Sequence, residues 1–413
     1  MRLGLNSSIK MPLLTNRPRN AARNFLVNRK GHLIMTTHYE HLGIYSDWVS
    51  AALAMRPQPP LAPPGKETQK KILEAMGFSV GDETPRDVRL ERQWEKDGVL
   101  GEEISWSVGY GPRTRAWLLK PVGAAGRLPG IVALHDHGAF KYFGKEKIAE
   151  GPEKPEPILQ VHRRRYYADR PYANVLAKEG FIVLVADAFL WSSRRMPLET
   201  IPKETRQIAA TFQQWGFQPE YPQAEVVGYN AAAMLSEDLI EKYCALLGTT
   251  FAGVVSYEDR VMANYLASRP EVDPAHIGCI GLSGGGCRSA MLGATSDRIS
   301  AAVVIGMMST FAGLLDHNVV SHTWMFFPHG WPCYGDWTDL TAARAPSPLL
   351  VQYNLEDELF SEEGMRAADT RLAGHFRSVG AAQNYRGEFY PGPHKFDLDM
   401  QTVAFRWLHE RLG

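Results

Sequence analysis

Five short runs constrain this chain more than any other feature: GIVALHD (130–136), FIVLVADA (181–188), HIGCIGLS (276–283), ISAAVVIGM (299–307) and SPLLVQYN (347–354). Each is a continuous apolar stretch of strand length, rich in Val, Ile and Leu. Continuous rather than alternating apolarity means burial on both faces, which is the condition of strands in a parallel sheet. Helical segments separate the runs. ANVLAKEG (173–180) precedes the second, and a long helical stretch at about 231–268 precedes the third and stops before Arg269-Pro270. Residues 361–379 place Met365, Ala368, Leu372, Phe376 and Val379 at helix spacing, with Ser361 as N-cap and Gly380 as the stop. A final helix is expected at 396–412. Three further strand-like runs, 88–94, 103–109 and 115–120, come before the series. The alternation predicts an α/β fold with a doubly wound, mostly parallel sheet.

The chain has 413 residues, beyond the ~250–300 at which a single core usually stops growing. One large domain with insertions is therefore expected, over 88–413. Two stretches break the alternation: 139–172, long and polar, and 308–346, rich in aromatics. Both follow strand carboxyl ends, where α/β proteins build their sites. Residues 35–87 read as an N-terminal helical extension, in which PQPPLAPPG (57–65) is an extended connector. Residues 1–34 read as a basic leader, disordered or outside the native protein, with Met35 as an alternative start.

The charge balance supports that division. Lys+Arg and Asp+Glu both number 45, which excludes a strongly basic nucleic-acid binder. Seven of the bases fall within residues 1–39, which hold no acid, leaving 38 bases against 45 acids in the rest. The leader has no apolar signal core, and Ile299–Leu315, at 17 residues, is too short and too diluted by Ser, Thr and Gly to cross a bilayer. A cytoplasmic protein without a membrane partner is expected, with a transit peptide as the other reading of the leader. The four cysteines, Cys244, Cys279, Cys287 and Cys333, form no CxxC pair and read as free thiols. Assembly into a homo-oligomer is left open.

Chemistry enters at Gly281-Leu282-Ser283-Gly284-Gly285, a GxSxG directly after a strand and before a helix. That context is the nucleophile elbow, which lifts the serine hydroxyl above the sheet. A serine hydroxyl needs a base, and His394 in FYPGPHKF lies between the last strand-like run and the last helix. The base needs an acid. Leu355-Glu356-Asp357-Glu358 follows the strand SPLLVQYN, and Asp357 sits at the expected distance, with Glu356 and Glu358 as alternatives. Acyl transfer also needs two backbone N–H groups aimed at the oxyanion. Gly284 is one candidate, and Ala139, in His135-Asp136-His137-Gly138-Ala139-Phe140, is the other. The competing reading of His135 and His137 is a metal site, but no downstream cluster has ligand spacing.

The order GIVALHDHG, GLSGGG, Asp357 and YPGPHKF resembles the α/β-hydrolase superfamily. More narrowly, it resembles the bacterial esterase branch of dienelactone-hydrolase-like and acetyl-xylan-esterase-like proteins. RPEVDPAHIGCIGLSGGG and HDHGAFKYFGKEK carry that narrower likeness, which spans about 88–413. The resemblance implies a catalytic triad of Ser283, Asp357 and His394, a small-molecule ester substrate, and neither cofactor nor metal. The nucleophile is serine where dienelactone hydrolases proper have cysteine. For substrate contact the candidates are His137 and Phe140 beside the oxyanion turn, Arg163 in HRRRYY, and Trp331 and Trp337 in the aromatic insertion. The bland readings are a solvated basic face for Arg163 and packing for the tryptophans. A peptidase or amidase on the same scaffold is the rival activity.

Overall fold

The structure is a computed structural model that describes residues 24–27, 33–36, 39, 41–55, 61–315 and 319–413. The chain divides into two units at Gln58/Pro59. In the first unit, β1 (Asn24–Val27) and β2 (Leu33–Thr36) pair antiparallel, with Phe25 opposite Met35. Helix α1 (Ser46–Met55) follows, and the Ser46 hydroxyl accepts the Tyr39 N–H at 2.9 Å. The ribbon pairs residues on both sides of the 34/35 boundary drawn from composition. Residues 1–23 and 28–32 of the expected leader lie outside the described residues.

The strands of the second unit are β3 (Arg86–Lys96), β4 (Val99–Ser107), β5 (Thr114–Pro121), β6 (Leu128–Leu134), β7 (Ile182–Ala186), β8 (Val272–Leu282), β9 (Ala301–Ile305), β10 (Leu349–Asn354) and β11 (Tyr385–Tyr390). They form one nine-stranded sheet in the order β11-β10-β9-β8-β6-β7-β5-β4-β3. From β7 through β6 to β11 the strands are parallel, and β5, β4 and β3 complete the sheet antiparallel. Chain order reverses at β6, whose neighbours are β7 on one side and β8 on the other. A crevice opens at such a switch point, outside the strand carboxyl ends.

The helices are α2 (Lys66–Met76), α3 (Pro157–Tyr166), α4 (Tyr172–Lys178), α5 (Lys203–Gln214), α6 (Ala224–Leu247), α7 (Phe251–Ser268), α8 (Gly284–Thr295), α9 (Phe311–Leu315), α10 (Trp337–Thr341), α11 (Glu362–Ser378) and α12 (Leu398–Leu412). They cover both faces of the sheet. Along β6, Val132 and Leu134 enter the core shared with α7 and α8, while Ile131 and Ala133 enter the core shared with α4 and α12. That two-sided burial is why the strands read as unbroken apolar runs. Each buried Val, Leu or Ile contributes roughly 1.5–3 kcal/mol relative to exposure. No helix among the described residues is long and apolar enough to cross a membrane.

Two expectations change. The stretch 231–268 is two helices, because Gly248 turns left-handed (φ 70°) to end α6 and Thr250 caps α7, accepting the Gly253 N–H at 2.9 Å. The N-terminal extension does not run to residue 87 as a separate piece. Helix α2 buries Ile72 and Met76 completely in the larger core, so the second unit begins at Pro59.

Candidate active site

Ser283 follows β8 and caps α8, and it stands at φ 59°, ψ −123°, a left-handed backbone that a serine holds only under constraint. Its N–H donates to Ile305 O at 2.8 Å and its carbonyl accepts the Cys287 N–H at 2.8 Å, which ties the turn to β9 and to α8. The flanking glycines are a matter of space. A Cβ on Gly281 would lie 2.4 Å from the Gly285 carbonyl, and one on Gly285 would lie 2.1 Å from Leu134 O. A side chain on Gly281 would pry open the turn itself, and one on Gly285 would push the elbow away from β6.

His394 lies in the loop between β11 and α12. Its Nδ1 is 2.5 Å from Asp357 Oδ2, and Asp357 Oδ1 accepts the Leu359 N–H at 2.9 Å. Asp357 is 5% exposed, so this charge is placed where solvent screens it little. Of its neighbours, Glu356 turns to the Gly392 N–H at 3.1 Å. The His394 ring packs over Gly306, where a Cβ would lie 3.0 Å from its Cε1. Gly306 follows Ile305, the residue that holds the Ser283 N–H, so the imidazole stands beside the elbow. Its Nε2 is buried and makes no hydrogen bond among the described residues. The serine–imidazole hydrogen bond is therefore not formed among the described residues.

The loop after β6 forms the opposite wall. A Cβ on Gly284 would lie 2.6 Å from the backbone nitrogen of His137, so the residue after the serine abuts this loop. Ala139 was expected to supply the second oxyanion donor, but its N–H is spent on His137 Nδ1 at 3.0 Å. The His137 N–H has no acceptor among the described residues, and its nitrogen is the one that lies against Gly284. Gly138 and Ala139 both take positive φ, 57° and 48°, to make this turn.

Buried charge holds the loop. Lys147 donates to Asp136 O, to Asp136 Oδ2 at 3.2 Å and to His137 O at 3.3 Å. Burial pushes the Lys147 ammonium down to about 8, against the pull of Asp136. Asp136 also accepts from Tyr167 at 2.6 Å and lies 3.1 Å from His162 Nε2. Burial alone would raise its pKa, but Lys147 and His162 hold the carboxyl well below its usual range. From the insertion before α7, Gln218 donates to Gly138 O and Ala139 O at 3.2 and 3.0 Å, and Asn230 accepts the Tyr142 N–H at 3.0 Å.

The rings of His135 and His137 do not converge. His135 is turned to Asp136 O and the Ala188 N–H, and burial drives its pKa well below the ordinary value. His137 Nε2 meets Glu237 Oε1 at 2.6 Å. No group of three or more His, Cys, Asp or Glu suited to a metal occurs among the described residues.

Four expected substrate contacts are packing residues instead. Phe140, Trp331 and Trp337 are fully buried. Phe140 stacks on Tyr221, Trp331 donates to Asp336 O at 2.8 Å, and Trp337 donates to Met307 O at 3.4 Å. Arg163 is 3% exposed and committed to Glu150 and to the carbonyls of Glu146, Lys147 and Ala149. Lys147, Gln218, Asn230 and Glu237 are further residues that hold the loop and are not among the sequence candidates. Only Lys147 left a trace, as part of HDHGAFKYFGKEK.

No protein-family model matches the sequence. The chain is 24% identical over 327 residues to the "Putative hydrolase YtaP" of Bacillus subtilis (strain 168), a match covering 78% of this chain and 90% of the relative. Among solved structures, a "putative acetyl xylan esterase" from Bacteroides fragilis NCTC 9343 superposes with a TM-score of 0.58 at 16% identity, covering 89% of this chain and 85% of that one. A glucuronoyl esterase from Solibacter usitatus gives 0.56 at 13% identity, covering 84% and 92%. Strand order, a serine at a strand-to-helix elbow after β8 and these superpositions agree: the chain has the α/β-hydrolase fold.

Proposed function

We propose that the protein is a serine hydrolase of carboxylic esters that works through an acyl-enzyme. The observation that carries the reading is the Asp357–His394 contact at 2.5 Å beside a serine held in a left-handed turn. In this reading Ser283 Oγ attacks the ester carbonyl and gives its proton to His394 Nε2. Asp357 keeps Nδ1 protonated and stabilises the imidazolium. The N–H groups of Gly284 and His137 receive the developing oxyanion. His394 then protonates the departing alcohol. Water, deprotonated in turn by His394, releases the acid.

The names of the superposed esterases support ester rather than amide substrates. Three cations around the loop are each matched by an acid: Lys147 by Asp136, Arg163 by Glu150, and Arg288 by Asp259. That pairing favours an uncharged acyl group, and acetyl and other short acyl esters are the substrates of choice for assay. Replacing Ser283 by Ala is expected to abolish p-nitrophenyl acetate hydrolysis and labelling by a fluorophosphonate while the circular dichroism stays that of the wild type. Undiminished hydrolysis in that variant overturns the reading.

A further inference from the structure

Helix α6 brings a carboxylate against the loop that follows β6, one hundred residues earlier in the chain. Glu237 is 5% exposed, and each of its oxygens has partners. Oε1 is 2.6 Å from His137 Nε2 and 2.5 Å from Lys141 Nζ. Oε2 accepts the Thr323 hydroxyl at 3.0 Å. Lys141 is itself fully buried, its ammonium 3.6 Å over the Trp191 ring, and His137 stands edge-on to the same ring at 5.1 Å. The carboxylate is thus held from three sides and cannot turn away from the imidazole.

This arrangement permits one state of His137. The Ala139 N–H points at Nδ1, so Nδ1 must carry a lone pair. The proton is then on Nε2, and Glu237 Oε1 is its acceptor. The Nδ1 acceptor closes the turn through Gly138 and Ala139, both at positive φ. With Ala139 so engaged, the His137 N–H, which has no acceptor among the described residues, is the loop donor whose nitrogen lies against Gly284.

We propose that Glu237 is a positioning residue of the oxyanion hole: by fixing the Nε2-protonated tautomer of His137 it closes the 137–139 turn and aims the His137 N–H at the oxyanion. The proposal rests on the esterase reading for its catalytic consequence but not for the tautomer. The carboxylate touches no reacting atom. Its effect is on the transition state, where the negative charge develops, more than on ground-state binding.

The test has two readouts. In the wild-type protein without substrate, nitrogen NMR of His137, assigned by loss of its signals in His137→Gln, is expected to show a protonated Nε2 and an unprotonated Nδ1. In kinetics with p-nitrophenyl acetate, Glu237→Leu is expected to lower kcat about 10²–10³-fold, the cost of one oxyanion donor, with KM nearly unchanged. Glu237→Gln keeps an oxygen acceptor at the same reach and is expected to recover to within about tenfold of wild type. Glu237→Asp keeps the charge for Lys141 but withdraws the acceptor by one methylene, so it should lose kcat as the Leu variant does. It also serves if the Leu variant does not fold.

A wild-type His137 protonated on Nδ1 overturns the proposal. So does a Gln variant as slow as the Asp variant, or a folded Leu or Asp variant with wild-type kcat. Hydrolysis that survives Ser283→Ala overturns the esterase reading and the catalytic consequence drawn here. The tautomer signal then reports on Glu237 alone, so the two failures are distinguishable.

Discussion

Ser283 holds a backbone conformation that costs on the order of 1–3 kcal/mol for a non-glycine residue. It persists because the turn is over-determined: its N–H and carbonyl are both bonded, and β6 and α8 close in on the glycines either side. The same logic applies to the acid. Asp357 is placed by the end of β10 and fixed by the Leu359 N–H, so its charge is aimed before substrate arrives. Asp357→Asn is expected to cut kcat by about 10³–10⁴ with little change in KM, since the amide favours the wrong imidazole tautomer. Glu356→Gln should stay within about threefold of wild type, because that carboxylate caps a Gly392 N–H instead. Steady-state kinetics of the two variants, side by side, check the assignment; equal losses would unseat Asp357.

Helices α10 and α11 are joined by one buried acid. Asp339 accepts from Arg371 Nε and Nη2 at 2.7 and 2.6 Å and lies 2.6 Å from His375 Nε2. It also takes the Asp336 N–H at 2.9 Å in the capping box of α10. Burial raises the pKa of this carboxyl, but His375 and Arg371 outweigh burial and bring it down to about 2. A carboxylate whose folded pKa lies below the unfolded one stabilises above the unfolded value and loses that contribution as pH falls through the folded one. The window here is pH 4 to 2, and the size is about 2 kcal/mol. Asp339→Asn should therefore be less stable at pH 6 and should flatten the acid limb. Urea unfolding at pH 6 and pH 2.5 reads this directly, and parallel acid limbs would refute it. At this scale the sequence was only partly legible. The strands could be read because two-sided burial leaves an unbroken apolar run. The place of Ser283 at a tight turn could be read because close approach demands glycine at 281 and 285. The break between α6 and α7 carried the local signal GTT, yet the apolar periodicity on both sides masked it. Trp331 and Trp337 were ambiguous in principle, since an aromatic that packs a loop and one that lines a pocket have the same local pattern. Glu237, Gln218 and Asn230 gave no signal at all, because what they touch lies about eighty to one hundred residues away in the chain.

The second unit contains the whole sheet, both of its cores and every residue given a role above. A chain beginning at Pro59 is therefore expected to fold, to unfold in one cooperative transition and to keep its hydrolytic rate. Calorimetry and the p-nitrophenyl acetate assay on that shortened chain test this, and loss of both would make residues 1–58 structurally necessary. The strand-like runs begin at residue 88 and suggest a boundary there, although α2 already buries Ile72 and Met76 in the larger core.

The Glu237–His137 contact has a further consequence, in the order of events by which the protein forms. It joins residues 100 apart, and Thr323 reaches the same carboxylate from 86 residues further on. Asp357 and His394 lie only 37 residues apart, on either side of β11, which pairs with β10. Contacts as distant in sequence as that of Glu237 demand loop closure before they give anything back. The β6–β8 pairing that builds the crevice spans a longer separation still, from Leu134 to Gly281, so no partly folded segment of the chain holds the crevice ready-made. Hydrolytic competence therefore belongs to the closed sheet as a whole and to no local piece of it.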